Sequence, residues 1–197
     1  AFNDCIKLTK VYCKPTTPPT LGPVVFDGNA ADRKIFVPAA SLNAYKSAGY
    51  WDLYKESIFA LGPSVAVTGC ESGVRRTIEE NMTLTVALSA DMGLKGLTIE
   101  IVSDTLTPEA LQSVGLCDKL DFVNPLASTS SVNPSFDASG VGKVLQELGF
   151  ITEDQIKGKN EVEISLTSFI AIINSLGGGE HDFIITVTDN DNYSVTY

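Results

Sequence analysis

The spacing of hydrophobic residues changes at Leu61-Gly62-Pro63, from a helical period to an alternating one. Before this point, apolar and aromatic residues recur at spacings of three and four, which predicts an amphipathic helix that Gly49 bends or splits. They are Leu42, Tyr45, Ala48, Trp51, Tyr54 and Ile58. After this point, apolar residues alternate with polar or small ones, as in strands with one buried face. We therefore predict two domains, residues 1–61 and residues 62–197.

The second domain is predicted to begin with three strands, around residues 65–67, 82–88 and 97–101. The short connection SADMGLKG should join the last two strands as an antiparallel hairpin. Thr107 followed by Pro108 predicts an N-cap and the first turn of a short helix.

The rest of the second domain alternates helices and strands. We predict a helix over residues 138–149 that ends at Gly149, a strand EVEISL, and a helix capped by Thr167 or Ser168. The final residues, FIITVTDNDNYSVTY, predict a closing hairpin. The fold class is therefore α+β, with a β-sandwich-like second domain decorated with short helices. A long segment around residues 124–140 is rich in Ser, Asn and Pro and has no period, so it is expected to be functional or mobile.

The first sixty residues contain an internal repeat with an offset of 24. Phe2-Asn3 then aligns with Phe26-Asp27, and the run Lys10 to Cys13 aligns with Lys34 to Val37. This period lies in the range of leucine-rich repeats, in which each unit adds one strand to a stacked array. Because side chains alternate along a strand, Val11, Cys13, Ile35 and Val37 should point inward. The outer face of the sheet should then carry the candidate partner-binding residues Lys10, Tyr12, Lys14 and Phe36.

The residue types of the repeat resemble a known family. AFNDCIKLTKVYCK is similar to the A-F-x-x-C-x-x-L-x-x-V unit of BspA-like leucine-rich-repeat proteins of bacterial surfaces. The segment after it resembles the end of such arrays, with a Pro-Pro turn, a strand ending in Val37-Pro38 and a helix of the form S-x-x-x-Y-K. The match covers about residues 1–60. The chain is therefore expected to be a piece of a longer protein and to contain only the last repeat unit or so of its array. The helix with its aromatic stripe would then cover the open end of the array.

This resemblance implies a location and a role. The second domain is similar to immunoglobulin-like domains of surface lipoproteins from Gram-negative gut anaerobes. Together, the two likenesses imply a cell-surface or secreted protein, such as an outer-membrane lipoprotein, that binds host or cell-surface proteins. The alternative is a glycan-binding or enzyme-accessory module that uses the 124–140 segment and exposed aromatic rings. Burial of Tyr45 and Trp51 would favour the first hypothesis.

Composition excludes several classes of function. The chain has 197 residues and a formal charge of −10, which argues against nucleic acid or anionic membrane as a partner. No apolar run is long enough to cross a bilayer. The cysteines show no CxxC spacing and no neighbouring His, which excludes zinc and thioredoxin-like sites. We predict no disulfide among Cys5, Cys13, Cys70 and Cys117, and expect three of them to be buried.

Candidate catalytic and ligand motifs all fail on inspection. His181 is the only histidine and lies in GGGEHDF, where we predict a solvated turn and not a catalytic base. DASGVGKV differs from a phosphate-binding loop at Asp137 and Val144. DNDN, residues 189–192, predicts a hairpin turn because Tyr193 occupies a position that a calcium loop gives to Asp or Asn. We predict no catalytic, cofactor-binding or metal-binding residues, and no cofactor.

Overall fold

The structure is a computed structural model that describes residues 1–77, 79, 82–150, 153–176 and 179–197, with the side chain of Asn174 left out. It is a mixed α and β protein with several small sheets and short helices. The chain divides into two compact units, Ala1–Gly62 and Pro63–Tyr197.

The first unit contains a parallel sheet of three strands in the order β1-β2-β3. The strands are β1, Lys10–Tyr12; β2, Lys34–Pro38; and β3, Ile58–Leu61. Pairing of β1 with β2 joins residues 24 apart, such as Lys10 with Lys34, so the repeat offset is also the register of the ladder. Pairing of β2 with β3 joins residues 23 apart, such as Ile35 with Ile58. Ile58 therefore belongs to a third strand, and its assignment to the helical stripe was wrong.

The predicted helix of the first unit is split into two short pieces. Helix α1 spans Leu42–Ser47 after a 3-10 turn at Ala39–Ser41, and a second 3-10 turn spans Asp52–Ser57. The break comes where Ala48 becomes extended, next to Gly49 and to Tyr50 with its φ of 62°. The aromatic stripe nevertheless stays together, because Tyr45, Trp51 and Tyr54 are all buried. The predicted burial of Tyr45 and Trp51 is confirmed.

The core of the first unit lies between the sheet and these helical turns. Its buried members are Leu21, Phe26, Ile35, Val37, Tyr45, Trp51, Tyr54 and Ile58. Val11 and Cys13 are half-buried and pack against them, so all four residues predicted to point inward contact this core. The Trp51 ring nitrogen donates to the carbonyl of Pro19 at 2.8 Å, and the Tyr45 hydroxyl donates to the carbonyl of Pro15 at 2.7 Å. These bonds tie the Pro-rich segment to the helical turns.

The second unit contains two antiparallel sheets. The smaller sheet has the order β4-β5-β8 and consists of Ser64–Thr68, Thr85–Ser89 and Glu161–Ser165. The larger sheet has the order β10-β9-β6-β7, and its members in chain order are β6, Leu94–Ser103; β7, Lys119–Asp121; β9, His181–Asp189; and β10, Ser194–Thr196. The closing hairpin of β9 and β10 is confirmed.

The predicted hairpin between the strands now identified as β5 and β6 was wrong, because they belong to different sheets. The amides of Ala90 and Leu94 donate to the carbonyls of Asn160 and Lys159, at 2.8 Å and 2.7 Å. Gly93, with a φ of 83°, turns the chain between these two bonds. The connection therefore pairs with the segment before β8 and leads the chain from one sheet to the other.

Four short α-helices lie in the described part of the second unit. They are α2, Pro108–Ser113; α3, Val141–Glu147; α4, Glu153–Ile156; and α5, Thr167–Leu176. The Thr107 cap is confirmed, since its hydroxyl accepts a hydrogen bond from the Ala110 amide at 3.3 Å. Four phenylalanine rings form a chain of edge contacts through the core, in the order Phe122, Phe150, Phe169 and Phe183.

The Ser-rich segment is fixed to the fold and is not a free loop. The Asp118 carboxylate accepts hydrogen bonds from the Ser131 amide at 3.0 and 3.2 Å, and Ser128 accepts one from the Asp121 amide at 2.9 Å. Lys119 also forms a β-bridge with Thr129. Ser128 and Ser130 are buried. The side chains that make the segment look irregular supply hydrogen bonds that tie its first half to the fold.

The four cysteines are free thiols with different exposure. Cys117 is buried, Cys13 and Cys70 are half-buried, and Cys5 is exposed. The expectation of three buried thiols was wrong, since only Cys117 is fully covered.

Cys117 is expected to resist thiol reagents at pH 8 while Cys5 reacts. Burial raises the pKa of the Cys117 thiol from 9.0 to about 11, so only about one thiol in a thousand would be ionised at pH 8, and the thiolate is the reactive form. The unfolded chain ionises first as the pH rises, so folding stability should fall between about pH 9 and pH 11. Labelling with iodoacetamide followed by mass spectrometry measures each site, with Cys5 as the internal control. Equal labelling of Cys5 and Cys117 in the native protein would contradict the prediction.

Candidate partner-binding face

The outer face of the parallel sheet is the strongest candidate site. Among the residues predicted for it, Tyr12 and Phe36 stack with ring centroids 5.2 Å apart and an interplanar angle of 15°. Tyr12 and Phe36 are register partners in the pairing of β1 with β2. Lys10 and Lys14 are exposed, and Lys10 is the register partner of Lys34.

Phe59 extends this pair into a row across all three strands. It is the register partner of Phe36, with ring centroids 6.2 Å apart. We call Tyr12, Phe36 and Phe59 the aromatic row. Phe36 is only 6% exposed because it lies between the other two rings, whereas Tyr12 is 37% and Phe59 41% exposed.

Sequence reasoning missed Phe59 because β3 had been assigned to a helix. A signal was present, since the Ile35-Phe36 pair recurs 23 residues later as Ile58-Phe59. Only the small change of period, from 24 to 23 residues, hides this third strand from a search at one fixed offset.

Lysines border the aromatic row. The Lys34 ammonium lies 5.6 Å from the centre of the Phe59 ring, within the range of a cation–π interaction. Lys10 lies beside Lys34 in the register. We call the surface formed by Lys10, Tyr12, Lys14, Lys34, Phe36 and Phe59 the basic-aromatic face. In a chain with a formal charge of −10, the ammonium group of Lys34 on this face would attract an acidic surface.

The packing beneath the face makes it rigid. Ile35, Val37 and Ile58 point to the opposite side of the same strands and are at most 1% exposed. The rings above them are therefore held on a sheet whose other side is packed at its centre, which lowers the entropy lost when a partner binds.

His181 is part of a strand and not of a solvated turn. It begins β9 and pairs with Ser103, and its Nδ1 lies 2.7 Å from the Ser103 hydroxyl oxygen. That oxygen accepts hydrogen bonds from the amides of Thr105 and Leu106, at 3.1 and 2.9 Å. The pair therefore closes a turn at the end of β6.

The aspartates of the DASGVGKV and DNDN motifs also have structural roles. Asp137 accepts a hydrogen bond from the Ser139 amide at 2.9 Å, which lowers the pKa of its carboxyl and caps a 3-10 turn at Ala138–Gly140. Asp189 is 1% exposed and accepts from the amides of Asp191 and Tyr193. DNDN, residues 189–192, thus forms the predicted hairpin turn.

Within the described part of the chain, no group of three His, Cys, Asp or Glu side chains could hold a metal ion. The described helices also include none that is long and apolar enough to cross a membrane. Comparisons with protein-family models, curated proteins and solved structures found no match.

Proposed function

We propose that the chain is part of a non-catalytic cell-surface or secreted bacterial protein that serves adhesion or protein–protein interaction through the basic-aromatic face. In this proposal the first unit is the C-terminal end of a BspA-like leucine-rich-repeat array with a helical cap. The second unit is a β-sandwich-like, immunoglobulin-like module. The observation that carries the proposal is the aromatic row with its lysines on a rigid parallel sheet.

Two features of the first unit support the repeat assignment. Parallel strands recur 24 and 23 residues apart, and equivalent positions stack, since the rings of Phe2 and Phe26 are 5.7 Å apart and parallel within 2°. Tyr45 and Trp51 lie inside the unit, as a cap over the core requires and a ligand platform does not.

The arrangement of the rings favours a protein partner over a glycan. Sugars pack on the open face of an aromatic ring, but Tyr12 and Phe36 turn their faces toward each other. The row offers two partly exposed rings, Tyr12 and Phe59, beside the ammonium group of Lys34. Such a surface fits apolar and acidic side chains of a protein.

Replacing Tyr12 and Phe59 together by Ala is expected to reduce partner binding at least tenfold. Half-exposed rings contribute little to folding, but at a binding site they supply much of the contact energy. The fluorescently labelled wild-type and variant chains would be applied to an array of host extracellular proteins printed beside an array of glycans. The matched control replaces two exposed apolar residues of the second unit, Val102 and Leu126, by Ala.

We expect wild type and control to bind the same protein spots, and the Tyr12/Phe59 variant to lose them with an unchanged far-UV circular dichroism spectrum. Binding confined to glycan spots would contradict the proposal, and so would protein binding that does not depend on these two rings.

A further inference from the structure

The smaller sheet of the second unit has an outer face with very small side chains. Register places Ser64, Ser89 and Glu161 in one row across the three strands, and Ala66, Ala87 and Glu163 in the next. We call these six residues the acidic face. Residues between them in sequence, such as Leu88 and Ile164, point into the core.

The small residues leave a shallow depression on this face. Its volume is about 440 Å³, and it is lined by Ser64, Ala66, Ala87, Ser89, Glu161 and Glu163 together with Leu88 and Val162. A neighbouring depression of about 360 Å³ shares Glu161 and Glu163 in its lining. Both are open, so they suit side chains that project from a flat surface and not a small molecule that needs enclosure.

The two carboxylates of the acidic face are exposed and have no ion-pair or hydrogen-bond partner among the described residues. They therefore remain available to cations from another molecule. Their exposure also means that pairing them requires little desolvation, which favours steering over strong affinity.

The acidic face complements the basic-aromatic face in shape and in charge. One carries bulky rings and lysines, and the other carries alanines, serines and glutamates. Each spans three strands, so both have the same width of about 10 Å at the usual strand spacing of about 4.8 Å. The rings of the aromatic row would fill the depression over Ala66 and Ala87, and Lys34 would reach the carboxylates of Glu161 and Glu163.

We propose that the basic-aromatic face of one copy docks on the acidic face of a second copy. The inference rests on the proposed function, since it uses the same basic-aromatic face and names a second copy of this chain as one partner. Because two different surfaces meet, a pair of copies keeps one face of each kind unoccupied, so the association is head-to-tail and a further copy can add at either end.

The contact area is small, so a single contact is expected to be weak. Two faces of three short strands bury far less than the roughly 1,200 Å² of a stable interface. Exposed ion pairs are also screened by salt. Many copies side by side on one surface would raise the effective strength without any new contact.

Charge reversal tests the pairing of the two faces. The full chain would be studied by sedimentation velocity and equilibrium from about 10 μM to 1 mM at low salt, as wild type, Lys34→Glu, Glu163→Lys and the double variant. We expect each single reversal to weaken self-association at least tenfold and the double variant to restore it to within about threefold. Matched controls with the same charge changes at exposed positions outside the two faces, Lys55→Glu and Glu71→Lys, should associate like wild type.

Mixing the two single variants should also restore association, because each brings the face that the other lacks. A single 21.0 kDa species at every concentration would overturn the inference, and so would equal association of all variants. The array experiment tests the proposed function separately, because Glu163→Lys leaves the basic-aromatic face intact. If binding to the protein array depends on Tyr12 and Phe59 but neither wild type nor any variant self-associates, the docking of one copy on another is wrong and the proposed function stands.

Discussion

Replacing Trp51 by Ala is expected to lower the free energy of unfolding of the first unit by about 3 to 5 kcal/mol, the usual cost of truncating a buried aromatic residue. The ring is 2% exposed, meets Tyr45 edge-on at 4.9 Å and lies 6.0 Å from Phe26. Its loss would also leave the Pro19 carbonyl without its 2.8 Å donor. A unit of this size has about 3 to 9 kcal/mol of stability in total, so the variant should be unfolded or close to it.

Thermal unfolding followed by circular dichroism would measure this effect, and hydrogen exchange with mass spectrometry would locate it in residues 1–62. Fluorescence is unsuitable because Trp51 is the only tryptophan. The matched control is Leu53→Ala, since Leu53 is close in sequence and 63% exposed, and it should cost less than about 1 kcal/mol. Similar stability of the two variants would show that Trp51 does not hold the cap on the sheet.

Replacing Phe169 by Ala is expected to destabilise the second unit by a similar 3 to 5 kcal/mol, for a different reason. Phe169 is 2% exposed and stands in the middle of the phenylalanine chain, 5.8 Å from Phe150 and 5.7 Å from Phe183. Removing its ring breaks two edge contacts at once and leaves a cavity between helix α5 and its neighbours. Alanine is a good helix former, so any loss is due to packing and not to helix propensity.

Chemical denaturation monitored by circular dichroism would give the free energy of unfolding, and hydrogen exchange would assign it to residues 63–197. Ser168→Ala is the matched control, because Ser168 is the exposed neighbour in the same helix. We expect the midpoint of the control to stay near that of wild type. If Phe169→Ala unfolds at the same denaturant midpoint as Ser168→Ala, the edge contacts between the phenylalanine rings do not stabilise the second unit.

The elements that could be predicted are those whose signal is local. The Thr107 cap, the β9–β10 hairpin and strand β8 each follow from a few adjacent residues. The register of β1 and β2 was also predictable, because a repeat brings equivalent residues side by side. The basic-aromatic face followed from that repeat and from strand alternation, with Phe59 and Lys34 as the residues that were missed.

The remaining features depend on contacts between segments that are distant in sequence. Pairing of β5 with β8, and not with β6, is decided by hydrogen bonds from the connection to Asn160 and Lys159. His181 became a strand residue because Ser103, 78 residues away, extends β6 far enough to pair with it. No pattern within a short window carries that information.

Strand alternation in the first unit has a consequence for how this protein can change. The inward residues Ile35 and Val37 and the outward residue Phe36 are consecutive, so the core and the outer face of the sheet share one segment. A deletion or insertion of one residue in β2 would exchange the two sets, turning Phe36 toward the core and its neighbours toward the outer face. Substitutions at outward positions would leave the core untouched. Point substitutions can therefore alter the outer face of the sheet without altering the core, whereas a change in strand length alters both.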